Sequence, residues 1–166
     1  MKKILTFLVL FAMILVSCNR NKVYEKYHKF ENLSWKRVDS SVFFNVPIKD
    51  TTRNYDITLA IRYIDGINLK NVDVGITIYM PDSSEIYNEY SVPLINIDGS
   101  YRGSVAGDIW DLYEKIIKNM PFPISGTYRF EIQNLTGYHY ETRGLMEIGL
   151  IVKKTKGKKN NEKGLA

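Results

Sequence analysis

Residues that carry chemistry are scarce in this sequence. It has one cysteine, Cys18, so neither a disulfide framework nor a thiolate metal site can be assembled. Its two histidines, His28 and His139, stand far apart with no ligand partner at metal spacing, which excludes a His/Cys zinc site. There is no G-x-S-x-G elbow, no P-loop and no dinucleotide fingerprint. No segment recurs with a period of roughly 20–50 residues, which excludes a solenoid or propeller. The one long apolar run, Ile4 to Val16, has thirteen residues, short of the roughly 20 that a spanning helix needs. An excess of one charge is also missing from the body of the chain. The formal +5 is carried by the ends: residues 18–152 hold 15 basic and 17 acidic side chains, a net of −2. That body has no broad electrostatic footprint for nucleic acid.

What is present begins at the N-terminus. Lys2 and Lys3 precede the apolar run, and Leu15-Val16-Ser17-Cys18 closes it. A basic start, a short apolar stretch, a small residue and then cysteine is the grammar of a bacterial lipoprotein signal peptide. On this reading residues 1–17 are removed, the Cys18 thiol carries a diacylglycerol thioether, and the new amine is open to acylation. An ordinary secretory signal would end in small-x-small, and a core cysteine would not sit at a signal's end. One acyl chain anchors marginally and two or three anchor durably, so membrane attachment through Cys18 is the expectation. The location implied is the cell envelope. The lack of an acidic cluster directly after Cys18 points to a periplasm-facing leaflet.

The mature chain is expected to be all-β. Twelve tyrosines, seven phenylalanines and two tryptophans accompany many valines and isoleucines. Residues 18–34 read as a polar tether, with Tyr24, Tyr27, Phe30 and Trp35 beginning to dock. Ser41 to Val46 reads as a strand closed by Pro47. Tyr55 to Tyr63 and Val72 to Met80 alternate with period two, the latter with Gly75 as a candidate bulge. Glu85 to Val92 completes a hairpin. Gly99 is expected to take a positive φ in a turn. Residues 108–120 are ambiguous: Ile109, Leu112, Tyr113, Ile116 and Ile117 fall at helical spacing with Asp108 as a candidate cap, yet the residues are also strand formers. Thr127 to Gln133 and Leu145 to Val152 read as further strands, and the lysine-rich residues 153–166 as a disordered tail. The expected fold is an antiparallel β-sandwich over residues 35–152, jelly-roll-like, with seven to eight strands and at most one short helix.

No residue stands out as catalytic. Asp108 and Asp111 form a carboxylate pair of the kind used in acid/base work, but such pairs are more often caps or solvated faces. Asp50, Asp65, Asp73, Asp82 and Asp98 fall at turns or on strand faces. Turn formation explains them better than calcium does. No metal and no cofactor is expected. Trp35, Trp110, Tyr138 and Tyr140 are the candidates for a ligand or partner surface, an aromatic platform for sugars being the alternative to buried core rings.

The ordered set of Cys18, Trp35, Tyr55-Asp56-Ile57-Thr58-Leu59-Ala60-Ile61-Arg62, Asn71-Val72, Pro93-Leu94 through Asp98-Gly99, Gly103 and Gly107, Pro123-Ile124-Ser125-Gly126-Thr127-Tyr128, and Gly149-Leu150 resembles the gliding motility lipoprotein GldH family of Bacteroidota. These are turn glycines, strand aromatics and an anchor. The resemblance implies a non-enzymatic lipoprotein associated with the gliding apparatus and type IX secretion, meeting other envelope proteins. Relatives carry a Met-Arg pair soon after the Phe130 strand. Here that stretch reads Leu135-Thr136-Gly137-Tyr138, so only the lipidated Cys18 carries over with a role.

Overall fold

The strands lie where apolar and polar residues alternate, because successive side chains on an extended backbone point to opposite faces. A computed structural model describes residues 21–37, 41–137 and 141–155. Its strands are β1 (Lys22–Lys29), β2 (Ser34–Lys36), β3 (Val42–Ile48), β4 (Asn54–Ile64), β5 (Asn71–Tyr79), β6 (Glu85–Pro93), β7 (Ser104–Ala106), β8 (Ile109–Pro121), β9 (Gly126–Asn134), β10 (Glu141–Arg143) and β11 (Leu145–Lys154). They build a five-stranded sheet in the order β1-β11-β4-β8-β7, a four-stranded sheet in the order β3-β9-β5-β6, and the small pair β10-β2. All pairings are antiparallel. With the three-residue strands β2, β7 and β10 set aside, eight long strands remain. Counted along the chain, their order is 1-8-3-6 in one sheet and 2-7-4-5 in the other. That is the connectivity of a jelly roll, the expected fold.

The core lies between the sheets. Tyr55, Ile57, Leu59, Ile61 and Tyr63 of β4 face Val72, Val74, Ile76 and Ile78 of β5 and Tyr128, Phe130 and Ile132 of β9, all buried. Aromatic rings bridge the layers. Tyr24 meets Phe44 edge-on at 6.5 Å, and Phe122 sits 5.3 Å from Tyr55 and 4.5 Å from Tyr128. Each such buried ring contributes on the order of 2–3 kcal/mol. Gly99 takes φ +86 in the loop after β6, as expected.

Four expectations are corrected and one alternative left open is settled. The proposed tether is a strand from Lys22 onward: β1 pairs with β11 and buries Tyr24, so this edge strand needs only one inward aromatic and leaves its lysines to solvent. The ambiguous segment 108–120 is extended β8, not a helix. The later part of its helical spacing arises from register shifts opposite Tyr55, Ile57 and Thr58, so that Leu112, Ile117 and Met120 come to pair with Ile61, Ile57 and Tyr55, while Tyr113 simply points to the outer face. Two extra residues inserted into a period of two imitate a period near 3.6. Pro47 does not close β3 but lies within it, which an edge strand permits because the missing donor faces away from β9. Gly75 is no bulge, since its ladders to β6 and β9 run without a shift. It makes room for the ring of Tyr87, whose hydroxyl lies 2.8 Å from where a β-carbon would stand. Lys153 and Lys154 belong to β11 rather than to the tail.

Candidate functional site

Outward-facing residues of the four-stranded sheet form two adjacent rows across its strands. One runs Phe43, Glu131, Thr77, Tyr87, and the other Asn45, Arg129, Tyr79, Glu85. The Arg129 guanidinium lies 4.5 Å from the Phe43 ring centre and 5.1 Å from that of Tyr79, a cation held between two aromatic rings. Tyr79 Oη donates to Glu131 Oε2 at 2.7 Å, and Gln133 Nε2 donates to Glu131 Oε1 at 3.1 Å. Partial burial raises the Glu131 pKa, but hydrogen bonds from Ser41, Tyr79 and Gln133 with the Arg129 charge outweigh it and hold the carboxyl below its ordinary value. The hydrogen bond to that carboxylate pushes the Tyr79 phenol up. Phe43 and Tyr87 remain about half exposed, at 49% and 51%. The result is an outer face with half-exposed rings, one cation between two rings and carboxylates at Glu131, Glu85 and Glu89.

The five-stranded sheet presents a different exterior. Arg62 grips Asp111 through two bonds of 2.7 and 3.1 Å and reaches Glu147 at 3.4 Å, and Lys29 meets the same Glu147 at 3.6 Å. Hydrogen bonding to Asp111 raises the Arg62 pKa, so the guanidinium stays charged.

Of the sequence candidates, the described residues Trp35 and Trp110 do not share a surface. Trp35 is buried at 1% exposure and stacks on Phe30 at 5.0 Å, so it is a core ring and not part of a surface. Trp110 is half-buried, stacks on Tyr63 at 6.4 Å and donates from Nε1 to Asp65 at 2.9 Å. Tyr138, Tyr140 and His139 lie outside the described residues, as does Cys18. A concavity of about 540 Å³ at the end of the sandwich is lined by Ile64, Ile67, Leu69, Thr136, Arg143 and Gly144, with no described aromatic ring. Beside it, Asn134 Nδ2 donates to the Trp35 carbonyl and to Thr142 Oγ1, both at 2.9 Å, and its own oxygen accepts from the Thr136 amide. This buried amide ties the loop to the small sheet. Asp111 is committed to Arg62 and does not pair with Asp108. Asp50, Asp82 and Asp98 each bond the backbone amide two residues on, the turn role expected of them. Among the described residues no three His, Cys, Asp or Glu side chains group to hold a metal, and no helix is long and apolar enough to cross a membrane.

The outer-face residues Phe43, Arg129, Tyr79 and Tyr87 were not singled out from the sequence. The signal was there, in aromatic or cationic residues at the polar positions of alternating strands. It is legible only once register places the four strands side by side.

Fold and surfaces together define a β-sandwich domain with a satisfied interior and its exposed aromatic residues on flat sheet faces. The chain belongs to the GldH lipoprotein family, whose model matches residues 22–152. It is 26% identical over 143 residues to the gliding motility lipoprotein GldH homolog of Christiangramia forsetii, covering 86% of each chain. It is 25% identical over 126 residues to the gliding motility lipoprotein GldH of Flavobacterium johnsoniae, covering 76% of this chain and 77% of that one. Among solved structures, one of the infectious bursal disease virus Gx strain overlaps 82% of this chain and 31% of its own, with 14% identity and a TM-score of 0.34, too low to support an argument.

Proposed function

We propose that this protein is an envelope lipoprotein, held in a periplasm-facing leaflet by a diacylglycerol thioether on Cys18, and that it serves gliding motility and type IX secretion as a non-enzymatic structural part that docks on other envelope proteins. The signal-like residues 1–17 and the GldH membership support the anchor and the setting. The single observation that supports docking is the outer face of the four-stranded sheet. Phe43 and Tyr87 are half exposed on its two edge strands, and Arg129 is held between the Phe43 and Tyr79 rings, so it has less side-chain freedom to lose on binding. A face with half-exposed rings on both edge strands and the Arg129 and Glu131 charges between them suits a protein partner that offers apolar and charged groups together.

The test is crosslinking of the full-length lipoprotein in its native envelope, followed by identification of the captured proteins. Gliding or secretion components are expected with the wild-type chain. Their yield should fall by tenfold or more for Phe43→Ala with Arg129→Ala, on the order of the effect of losing a central aromatic and arginine anchor. Capture of none by the wild type, or full capture by the double variant, would overturn the docking reading. Intact mass of the processed protein tests the anchor separately.

A further inference from the structure

One end of the sandwich gathers positive charge on the side of the five-stranded sheet. Register puts Lys22 of β1 beside Lys153 of β11, Lys153 beside Asp56 of β4, and Lys115 of β8 beside Thr58. Lys118 lies further along β8 towards the same end, and the turn holding Lys49, Asp50 and Arg53 joins β3 to β4 there. Lys154 binds that turn through Asp50 at 2.8 Å. Seven basic side chains thus share this end with three carboxylates of the same sheet and turn. Each carboxylate is bonded by one lysine: Glu25 by Lys22, Asp50 by Lys154 and Asp56 by Lys115. Lys49, Arg53, Lys118 and Lys153 are exposed, and of these Lys153 also attracts Glu25 and Lys118 also attracts Asp56, so positive charge stays in excess at this end. Asp82 and Glu85 lie at this end too, but beyond the other sheet, in and after the β5–β6 turn.

The same end is where the chain enters the fold. Lys22 is four residues from Cys18, a span of at most roughly 14 Å when fully extended. Resting on the proposed lipid anchor, we infer that the basic end is a membrane-docking surface: Lys49, Arg53, Lys118 and Lys153 lie against anionic phospholipid headgroups and fix the orientation of the domain on its own bilayer. The short link brings these cations to about one Debye length from the headgroups, where each lysine or arginine gains appreciable attraction. The exposed faces of both sheets then stand upright from the surface and stay open to partners.

The test is per-lysine labelling of the mature lipidated protein, with a membrane-impermeant amine reagent read by mass spectrometry. The protein is reconstituted in vesicles of phosphatidylcholine with or without phosphatidylglycerol. Lys49, Lys118 and Lys153 should label about fivefold more slowly with phosphatidylglycerol present, while Lys36 and Lys70 at the far end are unchanged, and high salt should abolish the difference. K49E/R53E/K118E should abolish the protection of Lys153. Removal of residues 156–166 should leave it in place. Equal labelling of both ends in both vesicles would overturn the inference while leaving the anchor intact, and so would protection that vanishes with residues 156–166. If intact mass shows no lipid on Cys18, the anchor reading fails. The inference is then decided by flotation of the unlipidated chain with the same vesicles, where salt-sensitive binding to phosphatidylglycerol supports it and no binding overturns it.

Discussion

The two sheets solve one problem, how to finish an outward face, in opposite ways. The five-stranded sheet closes its exterior with ions: Lys29, Glu147, Arg62 and Asp111 form a chain of opposite charges from β1 to β8. Glu147 is nearly buried, at 8% exposure, and depends on that chain. The four-stranded sheet instead sets a cation, Arg129, between the Phe43 and Tyr79 rings. Both exteriors leave rings exposed, Tyr27 and Tyr113 on the first and Phe43 and Tyr87 on the second. Among the described residues, only the second holds a cation against such a ring without an ion pair, which is why it is the one assigned to docking.

Arg62→Ala against Arg129→Ala gives the largest contrast. Losing Arg62 strands Asp111 and leaves the nearly buried Glu147 with only the longer Lys29 contact, and should cost about 2 kcal/mol after allowance for partial exposure. Losing Arg129 removes an exposed ring contact and should cost under about 1 kcal/mol, while weakening capture of partners. Urea unfolding measures both, and equal losses would erase the distinction between the faces.

A subtler contrast uses two glycines, each overlain by a tyrosine. A β-carbon on Gly149 would meet the Tyr27 ring at 2.4 Å and the Lys26 carbonyl at 3.1 Å, whereas on Gly75 it would meet the hydroxyl tip of Tyr87 at 2.8 Å. Gly149→Ala should therefore cost about 1–3 kcal/mol and Gly75→Ala about 0.5 kcal/mol. Adding Tyr27→Ala to the first should recover part of the loss in a double-mutant cycle.

The smallest effect concerns acid. The Lys154 hydrogen bond, with help from Thr52, holds the Asp50 carboxyl down at about 2. A carboxylate depressed in the folded state stabilises fully above its unfolded value of about 3.9 and loses that contribution as pH falls through the folded value. Melting temperature should fall between about pH 4 and pH 2, and Lys154→Met should make the fall shallower. An unchanged profile would place the acid sensitivity elsewhere, with Glu25 and Asp56 the next carboxyls to examine because their values are also lowered.

Much of the fold was legible because buried strands announce themselves. Tyr55 to Tyr63 can be placed by alternation alone, since a slip of one residue would turn five core side chains to water. β1 was not legible, because an edge strand buries one ring, Tyr24, among lysines and looks like a linker. β8 was half legible, because its bulges scramble the phase that distinguishes strand from helix. Of the surface candidates, Trp35 is consumed by the core, while Tyr138 and Tyr140 lie outside the described residues. Exposure on a sheet face depends on neighbours far away in the chain.

One consequence of β1 concerns force. Any pull arriving through the residues before Asn21 enters the domain on β1, whose ladder pairs with β11 at seven positions and with no other described strand. Tension along that strand shears the whole ladder together, whereas tension across it peels the pairs off singly. The domain would then resist a pull parallel to β1 far better than one across it, so its resistance would depend on the direction of the load.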